Sequence, residues 1–346
     1  MITTGFIKKG LLTLSLVLFY YFFSIVLTFY NKIVVTKFKY PLVMTYIHLI
    51  VKFVLASLVR NILECKKGKS RVTLDWWTFL VSVGPVGITS ILDIGLSNWS
   101  FEFITVSLYT MTKTSAIVFI LIFGLILRVE TFRWMQLCVV LCISLGLFLF
   151  TFKSTQFNLI GFLMCLAASV TSGLRWGLTQ KVAQRGELGL TNPVDFMYHI
   201  QPWMICGLLP LAVGIEGLKF SGDKNFLDYS SSNTIEKNMA VLLGGALLAF
   251  GLEFSEFLLV MKTSSLTLSV SSMFKECCIL LFAHWLYNDE MNYINMLGLV
   301  ACLSGIALHI YIKATKVIAP ERINTKDEAS LGLLANSIEN EEDTAT

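Results

Sequence analysis

Two lysines stand inside stretches that are otherwise apolar, and their chemistry sets the question. Lys113 closes the run Val106-Ser107-Leu108-Tyr109-Thr110-Met111-Thr112, and Lys275 closes the run Leu268-Ser269-Val270-Ser271-Ser272-Met273-Phe274. Ser, Met and Lys recur at one spacing in both. Each Lys falls roughly ten residues into its stretch, which at ~1.5 Å per residue is about 15 Å deep, near the middle of a ~30 Å hydrocarbon core. A charge there costs ~2.5–3.5 kcal/mol on insertion scales. Two such costs at matching positions imply a benefit. Facing ammoniums repel when nothing lies between them, and an anion relieves them. Phosphate is the natural partner, since Lys binds it as a point charge. Lys113 and Lys275 are therefore the first candidates for substrate binding. The competing reading for each is pairing with a carboxylate; for Lys275 the carboxylate would be Glu253 or Glu256.

Further polar residues sit in apolar surroundings. Lys52 is a candidate for substrate contact, and His48, one turn earlier, reads as a packed core histidine. Arg175, Asp93, Glu253 and Glu256 are candidates for gating or for service as counter-ions. Tyr30, Asn31 and Lys32 form a polar cluster that reads either as substrate contact or as an interfacial anchor. Ser107 and Ser269 precede the two lysines at equal distance and join the binding candidates. The stretch Ser264–Ser272 is rich in hydroxyls, which suit close helix contact or a polar pathway. Glu130 and Glu290 follow the two lysines and read as helix-start residues favoured by the dipole.

These residues need a scaffold, and composition says which. Of 346 residues 55% are hydrophobic and 14% charged, against roughly 25% charged in a soluble domain. Mean hydropathy is +0.71. A soluble fold of this length exposes too much area to hide that apolar surface, so a water-soluble enzyme is excluded. The net charge of +4 is small and scattered, which excludes a nucleic-acid binder. Seven of the eight cysteines read as apolar packing residues, with Cys65 in a polar loop; neither a disulfide framework nor a zinc site is legible, and no cofactor is expected. The expected fold is all-α and integral to a membrane, with ten spans near 11–35, 41–61, 76–98, 103–127, 132–152, 157–181, 194–217, 239–262, 264–288 and 293–313. Membrane lipid is thus an obligatory partner.

Basic residues orient the spans. With the N-terminus cytosolic, that side holds Lys8, Lys9, Arg60, Lys66, Lys67, Lys69, Arg71, Arg128, Arg133, Lys181, Arg185, Lys262, Lys313 and Lys316, fourteen in all, against seven on the other. Both termini are then cytosolic. The segment Ser221–Asn238 reads as a polar lumenal loop, and 314–346 as a disordered acidic tail. Asn98-Trp99-Ser100 matches a glycosylation acceptor at a membrane boundary.

The halves 11–152 and 153–313 resemble each other in order. Besides the Ser-Met-Lys match, Cys142-Ile143-Ser144 answers Cys302-Leu303-Ser304, and Tyr30-Asn31-Lys32 answers Thr179-Gln180-Lys181. Five spans per copy is an odd number, so the second copy is inverted. Inverted repeats place a shared site near the midplane and suit alternating access. Gly298 and Gly305, seven apart in the last span, are a candidate helix–helix or homodimer contact.

With Phe29-Tyr30-Asn31-Lys32, Phe38-Lys39-Tyr40-Pro41, Thr105-Val106-Ser107 leading to Lys113, Arg175-Trp176 before Gln180-Lys181, and Lys275, the chain resembles the triose-phosphate translocator and nucleotide-sugar transporter families of the drug/metabolite transporter superfamily. At finer grain Gly95–Phe101 and Phe254–Leu259 resemble subfamily C of the nucleotide-sugar solute carriers, which includes the GDP-fucose transporter. The resemblance implies a secondary antiporter in the Golgi membrane or the compartment before it, exchanging a nucleotide sugar, GDP-fucose first, for a nucleoside monophosphate. It implies that Lys113 and Lys275 meet the phosphates. Glu276 after Lys275 departs from the Lys-Arg pair of plastid members and weighs against a small, highly phosphorylated cargo. The alternatives are a phosphate-ester translocator and a non-transporting accessory protein of the same fold that modulates fucosylation. No motif of an intramembrane enzyme is present.

Overall fold

The computed structural model describes residues 2–37, 40–68, 70–100, 103–104, 109, 112–113, 115–151, 158–217, 232–287, 293–294, 297–298 and 300–312. Among the described residues the architecture is helical throughout, with no strand. The long helices are α1 (Ile2–Lys37), α2 (Pro41–Lys67), α3 (Trp76–Ser100), α4 (Ala116–Ile126), α5 (Trp134–Thr151), α6 (Leu159–Ala183), α7 (Pro193–Gly217), α8 (Ser232–Lys262), α9 (Ser265–Tyr287) and α10 (Val300–Ile312). Six of them, α1, α2, α3, α6, α7 and α8, are long and apolar enough to cross a bilayer. Lipid offers no hydrogen bonds, so a spanning chain must satisfy its backbone internally, and helices do this.

Local chemistry sets the helix starts. Pro41 and Pro193 occupy first-turn positions, where a missing N–H costs nothing. Asp75, Asn158 and Asn192 cap α3, α6 and α7, accepting from the N–H groups of Trp77, Gly161 and Val194. Gly68 ends α2 in the left-handed region at φ 59°, its N–H donating to Glu64 O. Two corrections follow. Cys65 lies within α2 rather than in a loop. The loop expected over Ser221–Asn238 ends earlier, because the chain is already helical from Ser232. Asn98 also falls inside a helix, where its Nδ2 donates to Ile94 O at 2.9 Å. Glu290 and the tail from residue 313 lie outside the described residues.

Polarity is distributed as a lipid solvent demands. Leu11, Leu14, Leu18, Phe22 and Phe29 form an exposed apolar stripe along α1, while Ser169, Thr179 and Gln201 are fully buried. The helices pair in a repeating scheme: α3 lies along α6, α1 along α8, α2 along α7, α2 along α8, and α3 along α7. Renaming α1–α3 as α6–α8, and the reverse, leaves these five pairs unchanged; α4 also lies along α6, and the corresponding α1–α9 pair meets only slightly. One core joins α2, α7 and α8 through Phe196 and Phe257, whose rings meet edge to face at 4.7 Å. A second joins α4, α5, α9 and α10 through Ile117, Val139, Ile143 and Cys302.

Glycine permits the closest approach in that second core. A Cβ on Gly146 of α5 would lie 2.7 Å from the Gly298 carbonyl oxygen and 2.9 Å from Cys302 Cα. A Cβ on Gly305 would lie 2.7 Å from Ile143. The glycines of the last span therefore serve a contact within the chain, between α5 and α10, and that face is not available to a second copy.

Candidate functional site

The cavity around Lys113 has a volume of about 170 Å³. Its wall comprises Tyr20 of α1, Lys113, Ala116 and Ile120 of and before α4, Ser172 and Trp176 of α6, Glu256 of α8, and Ser265, Leu268, Ser269, Ser272 and Met273 of α9. Five elements thus converge, two from the first half of the chain and three from the second. Of the candidates read from sequence, Lys113, Glu256 and Ser269 line the space directly.

Lys113 sits one turn before α4. Its Nζ donates to Asp93 Oδ1 at 2.5 Å and to Ser97 Oγ at 2.8 Å. Asp93 and Ser97 stand one turn apart on α3, so they present to one point. The other Asp93 oxygen accepts from Arg175 Nη1 at 3.3 Å. Arg175 also lies over the Trp176 ring, 4.7 Å from its centroid. Two cations thus share one carboxylate, and the group keeps a net positive charge. An ammonium has three donors; two are used, and no partner for the third exists among the described residues.

Lys275 is the eleventh residue of α9 and is buried. Its Nζ donates to Ser24 Oγ of α1 at 2.8 Å and lies 5.9 Å from the Tyr20 ring centroid. Lys275 is not among the wall residues of the cavity, whereas Tyr20 and Ser272 are. Neither Glu253 nor Glu256, the two carboxylates the sequence offers it, forms an ion pair with it among the described residues. Glu253 instead accepts from Lys52 Nζ at 2.5 Å and from Gln201 Nε2 at 2.8 Å, which ties α8 to α2 and α7. His48 is buried beside Lys52, as a core histidine, and its Nε2 has no partner among the described residues. Glu256 makes no hydrogen bond or ion pair among the described residues; Arg175, Lys275, Lys52 and Glu253 surround it electrostatically.

Tyr30 is placed elsewhere. Its hydroxyl donates to Val241 O at 2.5 Å and its ring lies against Gly245, so it serves the α1–α8 contact and does not line the cavity. Ser107 and the side chain of Asn31 lie outside the described residues.

One end of the cavity is fastened by amides. Gln180 Oε1 of α6 accepts from Ser265 N at 2.8 Å and from Ser265 Oγ at 2.6 Å, at the start of α9. Gln184 Nε2 donates to Val260 O at 2.9 Å, near the end of α8. Beyond this a second cluster escaped the sequence reading. Asp195, at the start of α7, binds Arg60 Nε at 3.2 Å and Arg71 Nη2 at 3.0 Å, with Asp195 only 3% exposed. Arg60 also stacks on Tyr198 at 4.0 Å. The sequence places both arginines among the loop charges; in the structure Arg60 is buried and Arg71 half-buried, and both are bound to Asp195.

A family model, the Triose-phosphate Transporter family, matches residues 11–310. An Arabidopsis thaliana protein described as a probable sugar phosphate/phosphate translocator is 31% identical over 88% of this chain and 74% of its own length. Another of that description is 27% identical over 92% of each chain. The Arabidopsis nucleotide-sugar uncharacterized transporter 1 is 26% identical over 84% of this chain and 70% of its own. A crystal structure of a protein at 11% identity superposes with a TM-score of 0.58, covering 88% of this chain and 97% of that one, which is a likeness of fold alone.

Proposed function

The chain belongs to the Triose-phosphate Transporter family, and on that premise we propose that this multi-pass membrane transporter is an antiporter of phosphate-ester anions. It has ten spans in two inverted five-helix repeats, and it works by alternating access. The observation that carries this reading is the Lys113–Asp93–Arg175 group, net positive and opening a donor onto a cavity walled by both halves. In water such a group would be screened; in a membrane interior it needs an anion. Phosphate oxygens of the cargo meet Lys113 and Lys275. Ser269 and Ser272 donate to the remaining oxygens. Rocking of one repeat against the other exposes the site to each side in turn.

The first cargo to test is a nucleotide sugar, GDP-fucose, exchanged for GMP in the Golgi membrane or the ER–Golgi intermediate compartment, with both termini cytosolic. One observation favours a second reading. Sites for drug-sized ligands occupy ~300–1,000 Å³, whereas this cavity holds about 170 Å³. That space suits a small sugar phosphate exchanged for inorganic phosphate, and a nucleotide sugar requires the helices to part. Counterflow in proteoliposomes separates the two. Vesicles preloaded with GMP and others preloaded with phosphate are offered labelled GDP-fucose or glucose 6-phosphate. Exchange of at least one pair, abolished by Lys113→Ala and by Lys275→Ala at normal expression, is the expected result. Full exchange in both variants overturns the site, and none with any pair favours an accessory protein without transport.

A further inference from the structure

We propose that Glu256 selects the uncharged end of the cargo. While Lys113 holds a phosphate, the Glu256 carboxylate accepts hydrogen bonds from hydroxyl groups of the esterified part. The carrier then prefers phosphate esters of polyols and sugars to esters that lack hydroxyls. This rests on the transport reading above and narrows the class of anion it admits.

A carboxylate taken out of water needs donors, and three carboxylates elsewhere in the bundle have two each. Asp93 accepts from Lys113 and Arg175, Glu253 from Lys52 and Gln201, and Asp195 from Arg60 and Arg71. Glu256 makes no hydrogen bond or ion pair among the described residues, and it stands in the same cavity wall as Lys113. One turn of α8 thus carries two acids with different duties. Glu253 fastens α8 to α2 and α7, and Glu256 is left to the cavity.

Its donors must therefore come from what the cavity admits. A cationic solute is disfavoured, because Lys113 shares the space and repels it. A hydroxyl group is not repelled, and it brings the O–H that an acceptor-only carboxylate requires. The rest of the wall suits such a solute: Ser269 and Ser272 offer neutral hydroxyls, and Trp176 offers an apolar ring to a carbon skeleton. A space of about 170 Å³ is filled by one small molecule, which then meets Lys113 and Glu256 together. An ester without hydroxyls still reaches Lys113 but leaves Glu256 desolvated and unanswered. A site built to bond a solute hydroxyl rejects the analogue lacking it for that reason.

The test is equilibrium binding of two matched pairs of probes to the purified full-length chain at about pH 8, where a phosphate monoester is a dianion. One pair is glycerol 3-phosphate and propyl phosphate; the other is GMP and its 2′,3′-dideoxy analogue. Within each pair the charge is equal and the hydroxyls differ. Hydrogen bonds to a charged group correspond to roughly 10- to 100-fold in affinity. The native chain is expected to prefer the hydroxylated member of at least one pair by about that factor. Glu256→Leu brings the ratio close to unity by weakening the hydroxylated probe and sparing the other. Glu256→Gln, which keeps the shape and one acceptor, falls between. A role confined to folding would weaken both members alike, so an unchanged ratio in the variants overturns the proposal. A native ratio close to unity in both pairs, a result that needs no variant, overturns it too and leaves the transport reading intact. Binding of none of the four probes overturns both.

Discussion

The carboxylate of Glu216, at the end of α7, caps the backbone of Leu42, at the start of α2, from 174 residues away. Its Oε1 accepts the Leu42 N–H at 3.0 Å and its Oε2 accepts the Val43 N–H at 2.9 Å. A helix start leaves such donors unsatisfied and carries a partial positive charge, so a buried anion answers both needs.

Glu216→Ala leaves two N–H groups without acceptors and is expected to cost about 1–3 kcal/mol. Glu216→Gln retains one acceptor and is expected to cost less. Thermal unfolding in detergent should rank the native chain above the Gln variant and the Gln variant above the Ala variant. Equal midpoints for all three would show that water reaches this helix start.

Asp93→Asn removes the anion shared by Lys113 and Arg175. Loss of one partner from a buried ion pair costs about 3–5 kcal/mol, because the other charge stays buried. Two cations are left here, so expression should fall sharply. Added phosphate should raise the thermal midpoint of the variant more than that of the native chain, since it replaces the missing anion.

Asp195→Asn strands Arg60 and Arg71 in the same manner at the other cluster. A loss of about 3–5 kcal/mol is expected. Because this cluster lies apart from the cavity wall, whatever protein survives should keep its native cargo KM. A changed KM would tie the cluster to the transport site.

Two glycine substitutions give opposite results. Gly146→Val drives a side chain into the backbone of α10, which cannot step aside, and overpacking costs typically 1–3 kcal/mol or more. Gly244 has nothing within 4 Å of an added Cβ. Gly244→Ala is therefore expected to be neutral or to gain up to ~1 kcal/mol of helix propensity. Thermal unfolding of the two variants checks both signs.

Hydrophobic run length located the helices, because lipid requires about twenty apolar residues per crossing. The residue order of α9 also located Lys275 correctly within its helix. What composition could not supply was partnership. Asp93 and Lys113 are twenty residues apart, and Lys52 and Glu253 are 201 apart; which cation takes which carboxylate depends on helix crossings that no periodicity encodes. Thus Glu253, one of the two carboxylates the sequence offers to Lys275, pairs with Lys52. Tyr20 and Ser24 give no signal in the sequence because a tyrosine and a serine in an apolar span look like ordinary packing, yet they flank the buried Lys275. Arg60 and Arg71 show the converse error, since a basic residue near a span end looks solvated whether or not a buried acid awaits it.

The fastening at Gln180 and Ser265 is made of neutral groups. Releasing hydrogen bonds of this kind to water costs only about 1 kcal/mol each, and no ion has to be stripped of its partner. In the transport cycle proposed above, a seam held by amides would part at a cost close to thermal energy, where an ion pair at the same place would resist.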